Sequence, residues 1–245
     1  MFAPETTAFW RAPFRGEALP TATGFSLAIN PALAPDPPVE VLTRHDGTVS
    51  AAVTAEVATR LGLSGQGPGE EPPLDAGGFR GRLADAGLEL YDPDCLFYFT
   101  EEASSLLGQA PTPTHVRQLT SADAAAFSRF EATASPADRD EAYVELGHWA
   151  VYGAFAGNDL ASVASAYPWH GSRLADIGVL TVPAFRGRGL ARDTVRAISR
   201  HAAACGYVPQ YRCQPGNTGS RAVAAAADLT YFGLWEVVLV PPAEG

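Results

Sequence analysis

Val182-Pro183-Ala184-Phe185-Arg186-Gly187-Arg188-Gly189-Leu190-Ala191 joins two segments of different periodicity. Before it, Ile177-Gly178-Val179-Leu180-Thr181-Val182 is a short apolar run rich in β-branched residues, the composition of a buried strand. After it, Ala191, Val195, Ile198, Ala202 and Cys205 repeat at helical spacing. Arg192, Arg196 and Arg200 recur every fourth residue on another face, and Gly206 stands where a C-terminal cap belongs. The order is strand, basic glycine-bearing turn, amphipathic helix. The start of such a helix has unpaired N–H groups at the positive end of its dipole, so it can hold a phosphate or pyrophosphate. Gly187 and Gly189 let the backbone come close to the anion, and nearby guanidiniums add charge-assisted bonds.

Spacing separates three designs that share this physics. A Walker loop ends in Gly-Lys-Ser/Thr, and this chain has no lysine. A dinucleotide fingerprint needs a third glycine at position 192 and an acid about 20 residues further on. Arg192 and the Val208-Pro209-Gln210 region supply neither. Arg186-x-x-Gly189-x-Ala191 after a strand resembles the pyrophosphate loop of the GNAT N-acetyltransferase superfamily, whose members bind acetyl-CoA. Tyr207 to Cys213 reads as the next strand in spite of Pro209. Gly216-Asn217-Thr218-Gly219-Ser220 then opens an alanine-rich helix, similar to the family's Asn-initiated helix. The resemblance runs from His115 to Val240.

It implies an α/β fold, with a mixed, mostly antiparallel central sheet flanked by helices, over residues 114–245. Residues 1–108 are then a smaller, divergent α+β domain, open to being a degenerate relative of the same fold. The function implied is an N-acetyltransferase moving an acetyl group from acetyl-CoA to a primary amine of a small molecule or peptide by direct attack. Backbone groups of Leu180, Thr181 and Val182 are expected to hold the pantetheine arm and polarise the carbonyl. The amides of Gly187, Arg188, Gly189, Leu190 and Ala191 are expected to hold the pyrophosphate, and Asn217 to contact the cofactor arm. Arg186 and Arg188 are further phosphate contacts or solvent-facing charges, and an N-cap role for Asn217 needs the same residue type. Asp176 stands where family members carry a general base. The usual acid, a tyrosine seven residues after the asparagine, is absent, since that position is Ala224; either Tyr231 or Tyr152 substitutes for it, or the thiolate leaves unassisted. Glu145 and His148 precede the hairpin and are candidates to face the substrate. The alternative is a non-catalytic acyl-CoA-binding regulatory module, for which Ala224 is the support.

The charge balance is −10, with 17 arginines as the basic residues. Acidity disfavours a nucleic-acid partner and is compatible with a cationic amine. The missing lysine reads as biased codon usage in a chain rich in Ala, Gly, Pro and Arg, or as an acetyltransferase that offers itself no target. Cys95, Cys205 and Cys213 form no Cys-x-x-Cys, so neither a disulfide framework nor a metal site is expected. No apolar run reaches the length of a membrane span, and a signal-peptide pattern is missing from the amino terminus. The expectation is a cytoplasmic protein, with a homodimer left open.

Along the chain, strands are expected at Phe25 to Ile29 and Val39 to Leu42, with a turn at Asp46-Gly47. Val49 to Leu63 has the apolar spacing of a helix, Gly65 to Pro73 is a loop, and Gly78 to Ala86 is helical. Gly65-Gln-Gly67-Pro-Gly69 is a poor phosphate cradle beside Glu70 and Glu71. Phe79-Arg80-Gly81-Arg82-Leu83-Ala84 echoes the basic turn, as a coincidence or a decayed repeat. Leu96 to Phe99 is a strand and Gln109 to Pro113 a linker. Val116 to Leu119 is a strand, a helix enters at Ser121-Ala122-Asp123, and Ser135 to Asp140 is a polar loop. Trp149 to Phe155 and Leu160 to Tyr167 form a hairpin about Gly157-Asn158-Asp159. Tyr231 to Val240 is a compressed last strand or hairpin. The amino-terminal half is expected to shape or cover the acceptor site.

Overall fold

The computed structural model describes residues 1–63, 73–91 and 93–239. Most of the expected Gly65 to Pro73 loop, and Val240 at the end of the last expected strand, lie outside the described residues. The chain forms two compact units. One is Thr7–Leu96 with Tyr231–Gly245, the other Met1–Thr6 with Phe97–Thr230. This differs from a division at 108 and 114, because the last strand leaves the family-like half and joins the amino-terminal one.

α1 (Pro4–Arg11) begins in the other unit and enters the first at Thr7, where β1 (Glu17–Leu19), β2 (Phe25–Ile29), β3 (Val39–Arg44) and β4 (Val49–Val53) follow. β2 pairs parallel with β4, and β3 pairs antiparallel with β4 across the Asp46-Gly47 turn. Gly47 has φ 84°, a left-handed conformation that glycine takes without strain. Val49 to Leu63 is therefore not one helix. Val49–Val53 form a strand buried on both faces from Ser50 onward, and Thr54 then caps α2 (Ala55–Arg60) by accepting the Val57 N–H. Thr, Val and Ala fit either period, and strand partners on both sides decide it. α3 (Ala76–Asp85) contains the Phe79-to-Ala84 echo in its middle, so that segment is not a phosphate turn. Phe79 and Leu83 sit in the core with Phe25, Val41 and Val53, and Arg80 pairs with Glu236. β5 (Asp94–Tyr98) ends the stretch and crosses the boundary between the units.

The second unit continues with α4 (Glu101–Gln109), β6 (Val116–Gln118), α5 (Ala124–Glu131) and α6 (Pro136–Ala142). The hairpin β7 (Ala150–Ala156) and β8 (Asp159–Pro168) follows, then β9 (Leu174–Thr181), α7 (Leu190–Ala204), β10 (Val208–Cys213) and α8 (Thr218–Ala226). β6 through β9 pair antiparallel in succession, and β9 pairs parallel with β10. This is the mixed, mostly antiparallel sheet the sequence implied. On one face, Phe127 and Phe130 of α5 pack with Val151, Val163 and Leu180. On the other, Ala197 of α7 packs with Val116 and Ala154.

Asp123 is the N-cap residue of α5, within the expected helix entry, but its side chain does not cap that helix; it reaches back to the Thr120 N–H and completes the capping box of the single 3-10 turn Ser121–Asp123. One local expectation changes here. Ser135 to Asp140 is not a loop but the start of α6, with Ser135 capping the Asp138 N–H and Pro136 in the first turn. α6 is the second helix of the crossover, indistinct in the sequence because it carries no apolar period. β11 (Thr230–Val238) is a single strand, paired antiparallel with β3 from Gly233–Arg44 to Val238–Val39. Among the described residues, no helix is long and apolar enough to cross a membrane, and no cluster of three His, Cys, Asp or Glu is placed to hold a metal.

Candidate functional site

β9 and β10 pair from Leu174–Val208 to Ile177–Tyr211, and there the ladder ends. β9 nevertheless runs on to Thr181 against β8, and β10 to Cys213. Backbone N–H and C=O groups of β9 beyond Ile177 on the β10 side are thus left for another partner. A cleft of about 720 Å³ opens at this point. β9 lines it with Val179, Leu180 and Thr181, the basic turn and α7 with Arg186 to Arg192 except Arg188, and α8 with Asn217, Ser220 and Val223. α6 contributes Asp138, Glu141 and Ala142.

The basic turn is built for close approach. Gly187 and Gly189 have φ of 76° and 79°, and Gly189 is the N-cap of α7 with no side-chain cap bond. The first-turn N–H groups of a 15-residue helix therefore face the cleft uncapped. Arg186 donates from Nε to the Thr181 carbonyl at 3.2 Å and from Nη2 to Asp138 at 3.3 Å. Arg192 donates to Asp193 at 2.8 Å, and that carboxylate also meets His115 Nε2 at 3.0 Å. Uncapped amides, two left-handed glycines and the guanidiniums of Arg186 and Arg192 suit a diphosphate-bearing ligand. Of the three arginines on the other helix face, Arg192 lines the cleft. Arg196 pairs with Asp228, and Arg200 bonds the Ala110 carbonyl and Thr112.

Of the other expected residues, Leu180, Thr181, Leu190 and Ala191 line the cleft, while Val182 and Arg188 do not. The Val182 N–H is spent on Ala161 at 3.0 Å, and the Arg188 guanidinium lies over the Phe185 ring at 5.2 Å. Asn217 performs two tasks. Its Oδ1 accepts the Ser220 N–H at 2.8 Å to cap α8, and its Nδ2 donates to Glu141 Oε1 at 2.5 Å. Ala224, where the family's acid would stand, is fully buried. Tyr231 is the second residue of β11 and Tyr152 bonds His201 of α7 at 3.3 Å; neither lines the cleft.

Asp176 is buried within a network. Its Oδ1 accepts from Gln210 Nε2 at 2.8 Å and Arg212 Nε at 3.0 Å, and its Oδ2 from Arg212 Nη2 at 2.9 Å and Tyr167 Oη at 3.2 Å. Gln210 in turn bonds the Tyr98 hydroxyl. Burial and the Asp176 charge push the Tyr167 phenol up to about 12.

A cluster of rings meets this network. Tyr143, His148 and Tyr167 contact one another at centroid distances of 5.0 to 5.6 Å. His148 Nδ1 lies 2.8 Å from Ser165 Oγ, and its Nε2 is 3.6 Å from Glu145 Oε2. Tyr143 ends α6 at φ 44°, an uncommon place for a bulky residue, and its ring is half exposed. A Cβ on Gly178 would stand 2.0 Å from the Ala142 carbonyl oxygen and 3.3 Å from that of Tyr143. Only glycine lets the end of α6 rest on β9 there. Sequence reasoning named Glu145 and His148 but missed Tyr143, Ser165, Tyr167 and Arg212. Four elements and a loop bring these groups together, and no local period marks them.

A family model described as an acetyltransferase (GNAT) domain matches residues 105–230. No curated protein matches the chain. Among solved structures, an acetyltransferase from the GNAT family of Colwellia psychrerythraea is 14% identical with a TM-score of 0.47. That match covers 66% of this chain and 61% of the other, so the chain spans less than two thirds of that relative. The GNAT domain of PAT from S. lividans is 17% identical with a TM-score of 0.42, covering 50% of this chain and 89% of that one. A conserved protein of unknown function from Staphylococcus epidermidis is 11% identical with a TM-score of 0.46, covering 94% and 96%.

Proposed function

We propose that this chain, which belongs to the acetyltransferase (GNAT) family, moves an acetyl group from acetyl-CoA to a primary amine of a small molecule or peptide. The observation that carries the reading is the parting of β9 from β10 after Ile177 and Tyr211, into a cleft that the uncapped start of α7 lines. Acetyl-CoA supplies an activated thioester carbonyl, on an arm whose diphosphate gives the protein something to grip.

The N–H groups at the start of α7 hold the diphosphate, and Arg186 and Arg192 add charge from either side of the turn. Backbone groups of Val179 to Thr181 take hydrogen bonds from the arm, because the sheet leaves them without a β10 partner. Asn217 is spent on α8 and Glu141, so it shapes the cleft and presents its remaining N–H to the arm. Val182 and Arg188 hold the turn in place from outside the cleft. Asp176 has both oxygens engaged, which suits fixing Arg212 and Tyr167 better than moving a proton. The role of Tyr231 as acid is tested by Tyr231→Phe, assayed for thiol release.

Calorimetric titration with acetyl-CoA, with NAD as control, tests the whole reading. Saturable binding is expected, and Gly189→Glu should abolish it by placing a carboxylate where the diphosphate sits. Acetyl-CoA at a hundred times its dissociation constant should add about 2.7 kcal/mol of stability. A folded sample that binds none overturns the reading. Binding without thiol release for any amine tried favours the non-catalytic module that Ala224 suggested.

A further inference from the structure

The ring cluster begins one residue beyond Ala142 of the cleft wall; its rings do not line the cleft and have no part in the grip just described. Its place is set by three observations. Ala142 lines the cleft and Tyr143 is the next residue. Both carbonyls rest against Gly178, which is the first residue of β9 beyond the β10 ladder. Ser165 pairs with Gly178 in the β8–β9 register, and it is Ser165 that holds the His148 ring. The cluster therefore stands where the two strands part, at the opposite end of the exposed β9 edge from the start of α7.

We propose that His148 takes the proton from the attacking amine, with Ser165 and Glu145 positioning its ring and with Tyr143 and Tyr167 as the ring walls of the acceptor subsite. This rests on the acetyl-transfer reading of the cleft and adds to it the acceptor side. When Nδ1–H donates to Ser165 Oγ, the Nε2 lone pair is left on the side of Glu145. Ser165 cannot swing away, because it is fully buried and its Oγ also accepts the Glu145 N–H at 3.3 Å. The His148 side chain is only 10% exposed, and burial lowers its pKa, so the ring is neutral and able to accept at physiological pH. The Glu145 carboxylate, 3.6 Å from Nε2, then favours the imidazolium that forms.

The groups facing His148 are Glu145 from its own loop, Tyr143 from the end of α6 and Tyr167 from β8. Asp176 of β9 and Arg212 of β10 stand behind Tyr167 and neutralise each other. A cationic acceptor thus meets ring faces and one exposed carboxylate, the combination that binds an ammonium. In the step itself the amine lone pair forms the new C–N bond, and the C–S bond of the thioester breaks with its electron pair going to sulfur. An acceptor bound as the ammonium gives its first proton to His148 Nε2, and on to water, before that lone pair is free; the second proton, shed by nitrogen as the C–N bond forms, goes to the departing thiolate.

The test uses the full chain, acetyl-CoA, and spermidine and tyramine as probe amines, with thiol release followed from about pH 5 to pH 9, the span of an imidazole titration. His148→Gln should keep acetyl-CoA affinity within about twofold by calorimetry and lose about 100-fold or more in kcat, the scale of general-base catalysis. It should also lose the acid limb that wild type shows below the ordinary imidazole pKa. Glu145→Gln, which removes the carboxylate that favours the imidazolium, should move that limb to still lower pH and lower kcat on the plateau, by less than His148→Gln does. A His148→Gln enzyme with the wild-type profile and a rate within about threefold of wild type overturns the proposal, being far short of a base's contribution. So does wild type that binds acetyl-CoA but accelerates neither amine. Wild type that fails to bind acetyl-CoA overturns the cleft reading itself, and this proposal with it.

Discussion

Asn217 and Glu141 hold α8 to α6 across the cleft, Nδ2 to Oε1 at 2.5 Å. Arg186 and Asp138 make a parallel link from the basic turn to α6 at 3.3 Å. The two carboxylates of α6 thereby occupy donors that an anionic ligand would use. They compete with it in charge as well as in space.

Glu141→Gln preserves an acceptor for Asn217 and removes the negative charge. Acetyl-CoA should bind this variant about threefold to tenfold more tightly at low salt, worth about 1 kcal/mol as for an exposed ion pair. The difference should shrink as salt rises. Calorimetry at two ionic strengths checks it; weaker binding would mean that the link organises the cleft rather than competing for it.

Gly178→Ala places a methyl group 2.0 Å from the Ala142 carbonyl oxygen. The obstacle is backbone, so α6 must lift from β9. A loss of about 2 kcal/mol in urea unfolding is expected, as for an overpacked core. The ring contacts of Tyr143 should loosen with it, visible as a change in near-UV circular dichroism. A variant as stable as wild type would show that α6 is free to move.

Glu40 accepts from Trp235 Nε1 at 3.2 Å, yet burial pushes its carboxyl above the ordinary range. The folded unit therefore binds the proton more tightly than the unfolded chain, and stability falls as pH rises through the unfolded and then the folded pKa. Glu40→Gln keeps an acceptor for Trp235 and carries no charge. It should raise Tm at about pH 7 and leave it unchanged below about pH 4, where both forms are neutral. A Tm gain that is the same at both pH values would assign the effect to packing instead.

Arg80 makes a two-pronged bond to Glu236, whose side chain is 9% exposed while its partner's is 40%. Arg80→Met leaves that carboxylate without its guanidinium. A cost of about 2 kcal/mol is expected, between an exposed pair and a fully buried one. Chemical unfolding measures it, and a cost near zero would mean that water reaches Glu236.

The strand, basic turn and helix around Gly187 were legible because each is a local pattern. β-branched runs, left-handed glycines and a helical apolar period act over a few residues. The hairpin about Gly157 was legible for the same reason. α6 was not, since Pro136 to Ala142 is polar on every face and is held by a cap, a proline and the fit of Gly178. The cap at Ser135 and Pro136 was the signal available. Val49 to Leu63 misled because its residues suit either period, and pairing with β2 and β3 chose between them. The ring cluster assembles Tyr143, His148, Tyr167 and Arg212 from the end of α6, the following loop, β8 and β10, so no local period marks it.

The pairing of β11 with β3 joins Gly233 to Arg44 and Val238 to Val39. During synthesis, β3 and its hairpin emerge long before the strand that completes them. Until β11 follows, one edge of β3 stays open to any other strand, which is the setting for mispairing between nascent chains. The strand that closes this edge is the last of the described elements to be made.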